Sequence, residues 1–247
     1  MTNSQIPYII YSNTDYLNIL KIQSDYIQTY QNKILFINHN PDLNLENIYN
    51  KYNKVIFYNN DSPYATRVLE CLSQLDSDYI LFIHDIDILI SANEDILSII
   101  IVIMKSLKID RIDLKHTPPN SDNIMCIMNK IFMVKQNNPN FYIYNVNPSI
   151  WNRNSFMELL SNFKHKGYRN IEDMDVQMFS LKYNIYKLYT KSYLKCGYYN
   201  CTEFFKFLHI SHAGKMLPWN NQYITEYGQS YIDIKDDFWN ILNTYIR

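Results

Sequence analysis

The chain reads as an α/β domain with a mostly parallel central sheet and helices on both sides. Three observations predict this. Short apolar strand signals alternate with helical ones through the first 110 residues, which is the pattern of a sheet wound with crossover helices. The run Tyr79-Ile80-Leu81-Phe82-Ile83-His84-Asp85-Ile86-Asp87-Ile88-Leu89-Ile90 is apolar without strict alternation, as expected of a strand covered on both faces. Polar clusters then close each strand on one rim, at Ser12 to Asp15, Asn38 to Asn40, Asn59 to Asp61, and Asp85 with Asp87. Sheets of this kind bind ligands at that rim.

Taken in order, Ile6 to Ser12 is the first strand, and Asn13 or Thr14 caps a helix running to about Tyr30. Lys33 to Asn38 is the second strand, followed by a turn at His39 to Asp42 and a short helix from Leu45 to Tyr52. Lys54 to Tyr58 is the third strand, and Tyr64 to Leu75 is a helix with Val68, Leu69 and Leu72 on one face. The apolar run from Tyr79 supplies the fourth strand, and Asn93 to Leu107 the next helix. Pro118 to Asp122 is a loop, Phe141 to Ile150 a return to the sheet, and Trp151 to Phe163 a helix with Asn154 as its cap. A further helix opens after Gly167, at Glu172-Asp173-Met174-Asp175. The length and the 47% hydrophobic content suit one domain over residues 1–247, with a nucleotide half to about residue 110 and an acceptor half beyond it.

Composition removes several functions. The net charge of −1 and the lack of a basic block disfavour nucleic acid as a partner. The longest apolar stretch, within Ile96 to Met104, is too short to span a bilayer. The start of the chain has no basic-then-apolar leader, and Cys71, Cys126, Cys196 and Cys201 lack paired zinc spacing, so the expected setting is cytoplasmic with reduced thiols. The four glycines begin only at Gly167. A dinucleotide fingerprint and a P-loop both need glycine where backbone amides approach phosphate, so any nucleotide must be held by side chains and a metal.

Three clusters carry chemistry. On a continuous strand Asp85 and Asp87 share a face, and two carboxylates there are costly without a cation; Mg²⁺ or Mn²⁺ would leave positions open for diphosphate oxygens. Two acids that simply solvate a strand end are the alternative. Glu172, Asp173 and Asp175 crowd one helical first turn, where they either complement the helix dipole or hold a general base. His209 and His212, at i and i+3 beside Gly214 and Lys215, are a second candidate metal site in a chain with six histidines. Asp61 and Arg67 are nucleotide candidates by position alone.

Together these segments resemble the β-1,4-galactosyltransferase-like enzymes of the GT-A fold. His84-Asp85-Ile86-Asp87-Ile88-Leu89 is similar to that family's H-D-V-D-L segment, Glu172-Asp173-Met174-Asp175 to its G-E-D-D-D segment, and Ile210-Ser211-His212 to its late I-R-H histidine. The resemblance spans residues 6 to 220 in layout and is specific in these short segments. It implies a hexosyltransferase that uses Mn²⁺ or Mg²⁺ and moves a hexose or N-acetylhexosamine, with inversion, from a UDP-sugar to a glycan or glycoprotein hydroxyl. Asp87 and His212 would bind the metal, and His209, where the family tends to place methionine, would join them because imidazole suits Mn²⁺ better than a thioether. Asp85 would help hold the sugar nucleotide, Asp173 would act as base and Glu172 would position the acceptor; apart from the resemblance, Ser12 on the strand-end rim and Lys215 beside the late histidines are further nucleotide candidates. Lys166-Gly167-Tyr168-Arg169-Asn170-Ile171 stands in place of the family's tryptophan-glycine stretch. The alternatives are a GT-A transferase of another lineage and a non-catalytic module that binds sugar nucleotides.

Overall fold

The structure is a computed structural model that describes residues 6–26, 30–115, 124–128, 131–135, 144–165, 182–191, 193–196, 199–209, 211–212 and 215–216. In chain order the first half comprises β1 (Tyr8–Tyr11), α1 (Leu17–Tyr26), β2 (Lys33–Asn38), α2 (Glu46–Tyr49), β3 (Lys54–Tyr58), α3 (Tyr64–Leu72), β4 (Tyr79–His84), β5 (Asp87–Ala92) and α4 (Glu94–Leu107). The second half comprises β6 (Arg111–Asp113), β7 (Ile124–Met128), β8 (Ile131–Lys135), β9 (Ser149–Asn152), α5 (Arg153–Asn162), β10 (Ile185–Thr190), β11 (Tyr193–Cys196), β12 (Tyr199–Thr202), β13 (Phe205–His209), β14 (Ser211–His212) and β15 (Lys215–Met216).

Among the described residues, nine strands form one sheet in the order β3-β2-β1-β4-β9-β6-β10-β8-β7. The expected parallel arrangement holds for β1 to β4. It fails beyond them. β9 runs antiparallel between β4 and β6, and β8 and β7 are antiparallel to their neighbours, so the sheet is mixed. The anticipated strand at Phe141 to Ile150 is described only as β9, and its last residue, Asn152, caps α5 by accepting from the Ser155 amide, a role expected of Asn154.

Helices cover both faces, and the alternation along β1 shows why. Tyr8 and Ile10 pack with α1, α2 and α4, through Ile19, Leu20, Ile48, Ile96, Leu97, Ile100 and Met104. Ile9 and Tyr11 pack with α3 and α5, through Ala65, Val68, Leu72, Phe156, Leu159 and Leu160. A strand buried on both sides cannot alternate in polarity, which is why β2 and β4 read as unbroken apolar runs.

The run from Tyr79 is not one strand. β4 ends at His84, Asp85 and Ile86 form a turn, and β5 leaves the large sheet to pair with β13. The inference that Asp85 and Asp87 share one strand face is therefore corrected: they flank a bend between two sheets. The cause is non-local. β4 has β9 on one side and β1 on the other, while β13 offers β5 a separate edge.

The loop at Pro118 to Asp122 and the helix opening at Glu172 lie outside the described residues. No helix among the described residues is long and apolar enough to cross a membrane.

α4 is positioned by its cap, since the Asn93 side chain accepts from the Ile96 amide while its own amide donates to Phe204 O at 2.9 Å. Asn93→Ala should cost about 1 kcal/mol of unfolding free energy, read as a lower urea midpoint with an unchanged slope.

Candidate functional site

The β4 to β5 turn stands at the carboxyl ends of β1, β2, β3 and β4, the rim expected from sequence. Ser12, directly after β1, is its hub. The Ser12 amide donates to Phe36 O at 2.9 Å, the Tyr58 hydroxyl donates to Ser12 O at 2.6 Å, and the Ser12 hydroxyl donates to Asp85 Oδ2 at 2.9 Å. One serine thus ties three strands to the first aspartate. Next to it, Thr14 and Asn38 exchange hydrogen bonds of 2.8 Å that fix the start of the following helix against β2.

Asp85 is buried. Its carboxylate accepts from Ser12 and from the amides of Asn13 and Ile86, its own amide donates to Tyr11 O, and burial still pushes its pKa up to about 6, with the Asp87 charge adding to the rise. Asp87 is wholly buried at 0% exposure, and Gln23 of α1 holds its backbone carbonyl at 3.1 Å. His84 precedes the turn on the opposite face. Its Nε2 lies 2.9 Å from both the Tyr64 and Tyr144 hydroxyls, which also bond to each other, and burial lowers its pKa to about 3. His84 is accordingly neutral, a positioning group between α3 and residue 144. Its partners, 20 and 60 positions away, are invisible in the sequence.

An aromatic shelf stands beside Ser12. Tyr11 and Tyr58 stack at 5.2 Å between centroids, and the Arg67 guanidinium lies 5.4 Å from the Tyr58 centroid. Arg67 also donates to Asn60 O, Asn60 Oδ1 and Ser62 O, which pins the β3 to α3 turn. Asp61 is exposed at the tip of that turn, its amide donating to Asn59 Oδ1. Ser12, Arg67, Asp85 and Asp87 are therefore brought to one rim, and Asp61 sits at its edge.

The second half contributes through β13. His209 stands opposite Asp87 in the antiparallel β5 to β13 pair, and His212 and Lys215 face each other in the β14 to β15 pair three and six residues later. Directly opposed positions occupy one face of an antiparallel ladder, so the register brings position 209 to Asp87. A carboxylate, an imidazole and phosphate oxygens form a donor set that suits Mn²⁺ or Mg²⁺. Among the described residues no group of three or more histidine, cysteine, aspartate or glutamate side chains could hold a metal ion; Asp85 and Asp87 bring two buried carboxylates to the turn. Glu172 and Asp173 lie outside the described residues.

Sequence reasoning missed the buried network next to this site. Arg111 donates to Ser149 Oγ at 2.8 and 3.1 Å, stands 5.1 Å from the Trp151 centroid and lies 3.7 Å from Asp113. Asp113 accepts from the Asn147 and Asn145 side chains and from the Lys115 amide. Asp113 is buried, yet the nearby Arg111, Lys187 and Lys115 charges outweigh that burial and hold its pKa below the usual value. The one available signal was the Arg-x-Asp-x-Lys spacing at Arg111 to Lys115.

No family model matches the chain. No curated protein matches it either. Solved structures similar to it include a cytidylyltransferase from Leptospira borgpetersenii, at 10% identity over 76% of each chain and a TM-score of 0.46. TarS 1-349 from S. aureus is similar at 18% identity, over 79% of this chain and 60% of that one, with a TM-score of 0.42. A UDP-glucose pyrophosphorylase complexed with UDP-glucose is similar at 11% identity, over 76% and 92%, with a TM-score of 0.43. At these values the likenesses assign no function, which has to be argued from the rim.

Because the folded chain raises the Asp85 pKa from the ordinary 3.8 to about 6, the native state holds a proton between those values that the unfolded state has released. Stability therefore falls as pH rises through that window. Without added metal, Asp85→Asn should be more stable than wild type at pH 8, and the gap should close as the pH is lowered to 4; urea titrations at four pH values measure it.

Proposed function

We propose that the chain is a metal-dependent transferase acting on a nucleotide sugar, of the GT-A type, and that it moves a hexose or N-acetylhexosamine from a UDP-sugar to a hydroxyl of a glycan or glycoprotein. The observation that carries the reading is the Asp85-Ile86-Asp87 turn, with its second carboxylate buried at a sheet rim and paired in register with His209. An ordinary solvated strand end would leave Asp87 exposed.

In this reading Arg67, held over the buried Tyr58 ring that stacks on Tyr11, adds positive charge at the nucleotide's edge of the rim. Asp85, fixed by Ser12 and two backbone amides, presents an acceptor for a donor hydroxyl. Asp87, His209 and His212 would hold Mn²⁺ or Mg²⁺, which when bound supplies positive charge for the departing diphosphate. Lys215 is assigned to the phosphates. Asp173 takes the proton of the acceptor hydroxyl as its oxygen bonds to the anomeric carbon; the bond from that carbon to the phosphate oxygen breaks, and its electron pair leaves with UDP. A single displacement of this kind inverts the anomeric centre. Glu172 orients the acceptor.

Calorimetry with UDP, with and without Mn²⁺, followed by hydrolysis assays on a panel of UDP- and GDP-sugars, tests the proposal. Asp87→Ala and Asp87→Asn should both abolish the metal-dependent part of UDP binding, and full activity without metal in either variant would refute the reading. Asp173→Asn should keep UDP binding and lose about a hundredfold or more in transfer rate. Metal-dependent binding in wild type without turnover on any donor would instead mark a sugar-nucleotide-binding module.

A further inference from the structure

α4 carries more apolar side chains than one buried face can use. Ile99-Ile100-Ile101-Val102-Ile103-Met104 is an unbroken apolar run, and at 3.6 residues per turn such a run passes through every direction around a helix. Ile96, Leu97, Ile100 and Met104 take the core, and Ile99, Ile101 and Ile103 pack partly against its margin. Val102 is left outward at 63% exposure, with Leu107 at 42%. Two of the five exposed large apolar side chains among the described residues thus stand on this one helix, and Val102 is the most exposed of them. A helix that is apolar all round is normally buried all round. The isoleucines and the valine are β-branched and lower the intrinsic helix preference of the run, so packing must hold it.

The polar residues around Val102 say what would cover it. Asp95, Ser98, Ile99, Val102, Lys105 and Ser106 follow one another three and four positions apart and share the outward side. This stripe opens with an acid and closes with a base. Asp95 is exposed in the first turn, while its neighbour Glu94 is drawn inward by the Tyr8 hydroxyl at 2.7 Å. Lys105 is exposed in the last turn, its ammonium 5.7 Å from the Tyr79 ring centroid. The Ser106 hydroxyl donates to Val102 O at 2.9 Å within the helix and asks nothing of a partner. A helix that lies on a lipid surface is rich in basic residues along its polar face, and this one begins with an acid. A helix of the same sequence running the opposite way answers the charge at both ends, and a two-fold axis presents it from a second copy.

We propose that α4 is the interface of a homodimer, packed antiparallel against α4 of a second copy. With the two-fold axis between Ile99 and Val102, each Val102 meets Ile99 of the other copy. Asp95 then comes level with Ser106 of the other copy, beside its Lys105, so two ion pairs flank an apolar centre. α4 has 14 residues and is about 21 Å long. A single helix pair of that length lies at the small end of specific interfaces, so the dimer forms at micromolar concentration and separates on dilution.

Sedimentation velocity of the full chain, over a series from nanomolar to high micromolar, tests this. Wild type should pass from monomer to dimer. Val102→Glu puts two carboxylates at the apolar centre and should raise the dissociation constant about a hundredfold. Its circular dichroism and urea midpoint should stay near wild type, because glutamate is a better helix former than valine. Asp95→Lys and Lys105→Glu, both at exposed positions, keep the test open if Val102→Glu does not fold. Each alone should weaken the dimer about tenfold, and the two together should restore it. A chain that stays monomeric throughout, or a dimer that Val102→Glu leaves intact, overturns the proposal, and a double variant that does not dimerise overturns the antiparallel pairing. A monomeric wild type that sediments with vesicles of phosphatidylcholine and phosphatidylserine, and loses them in Val102→Glu, overturns it in favour of a membrane surface.

Discussion

The structure turns on burying two carboxylates where one strand breaks into another. A buried aspartate without compensation costs several kcal/mol, so each feature around the turn can be understood by how it offsets that cost. Asp85 receives the Ser12 hydroxyl and two backbone amides. Asp87 sits where the β5 to β13 ladder meets α1, whose Gln23 donates to its backbone carbonyl.

The sheet topology decides what surrounds the turn. With β9 inserted antiparallel between β4 and β6, the carboxyl end of β6 points to the same rim as the end of β4. Arg111 and Asp113 are therefore carried by a strand that runs in the same direction as β4. Most polar atoms of that group are committed to one another through Ser149, Asn145 and Asn147, which makes them structural support. The same division appears at His84, whose ring nitrogen is taken up by Tyr64 and Tyr144. A histidine beside an aspartate pair looks like a functional group in isolation, and here it fastens the end of β4 to α3.

Local pattern alone determined a good deal of this. β2 and β3 have the limits expected from their apolar runs, α4 at Glu94–Leu107 falls within the helix expected from Asn93 to Leu107, and the polar strand ends gather on one rim. Those features depend on residues within a few positions of each other, and short-range preferences are written directly in the chain. The Asp-x-Asp spacing, the late histidines and the early absence of glycine were also legible, because each is a statement about residue type.

Only the tertiary structure decided the rest. The bend after His84, the antiparallel insertion of β9 and the bridge from Lys115 to Cys201 all arise from pairings between segments far apart in sequence. An apolar run from Tyr79 to Ile90 satisfies a single long strand and two short ones equally well. What separates them is which strand edge is available at His84, and that depends on β9 and β13, whose positions no local window contains.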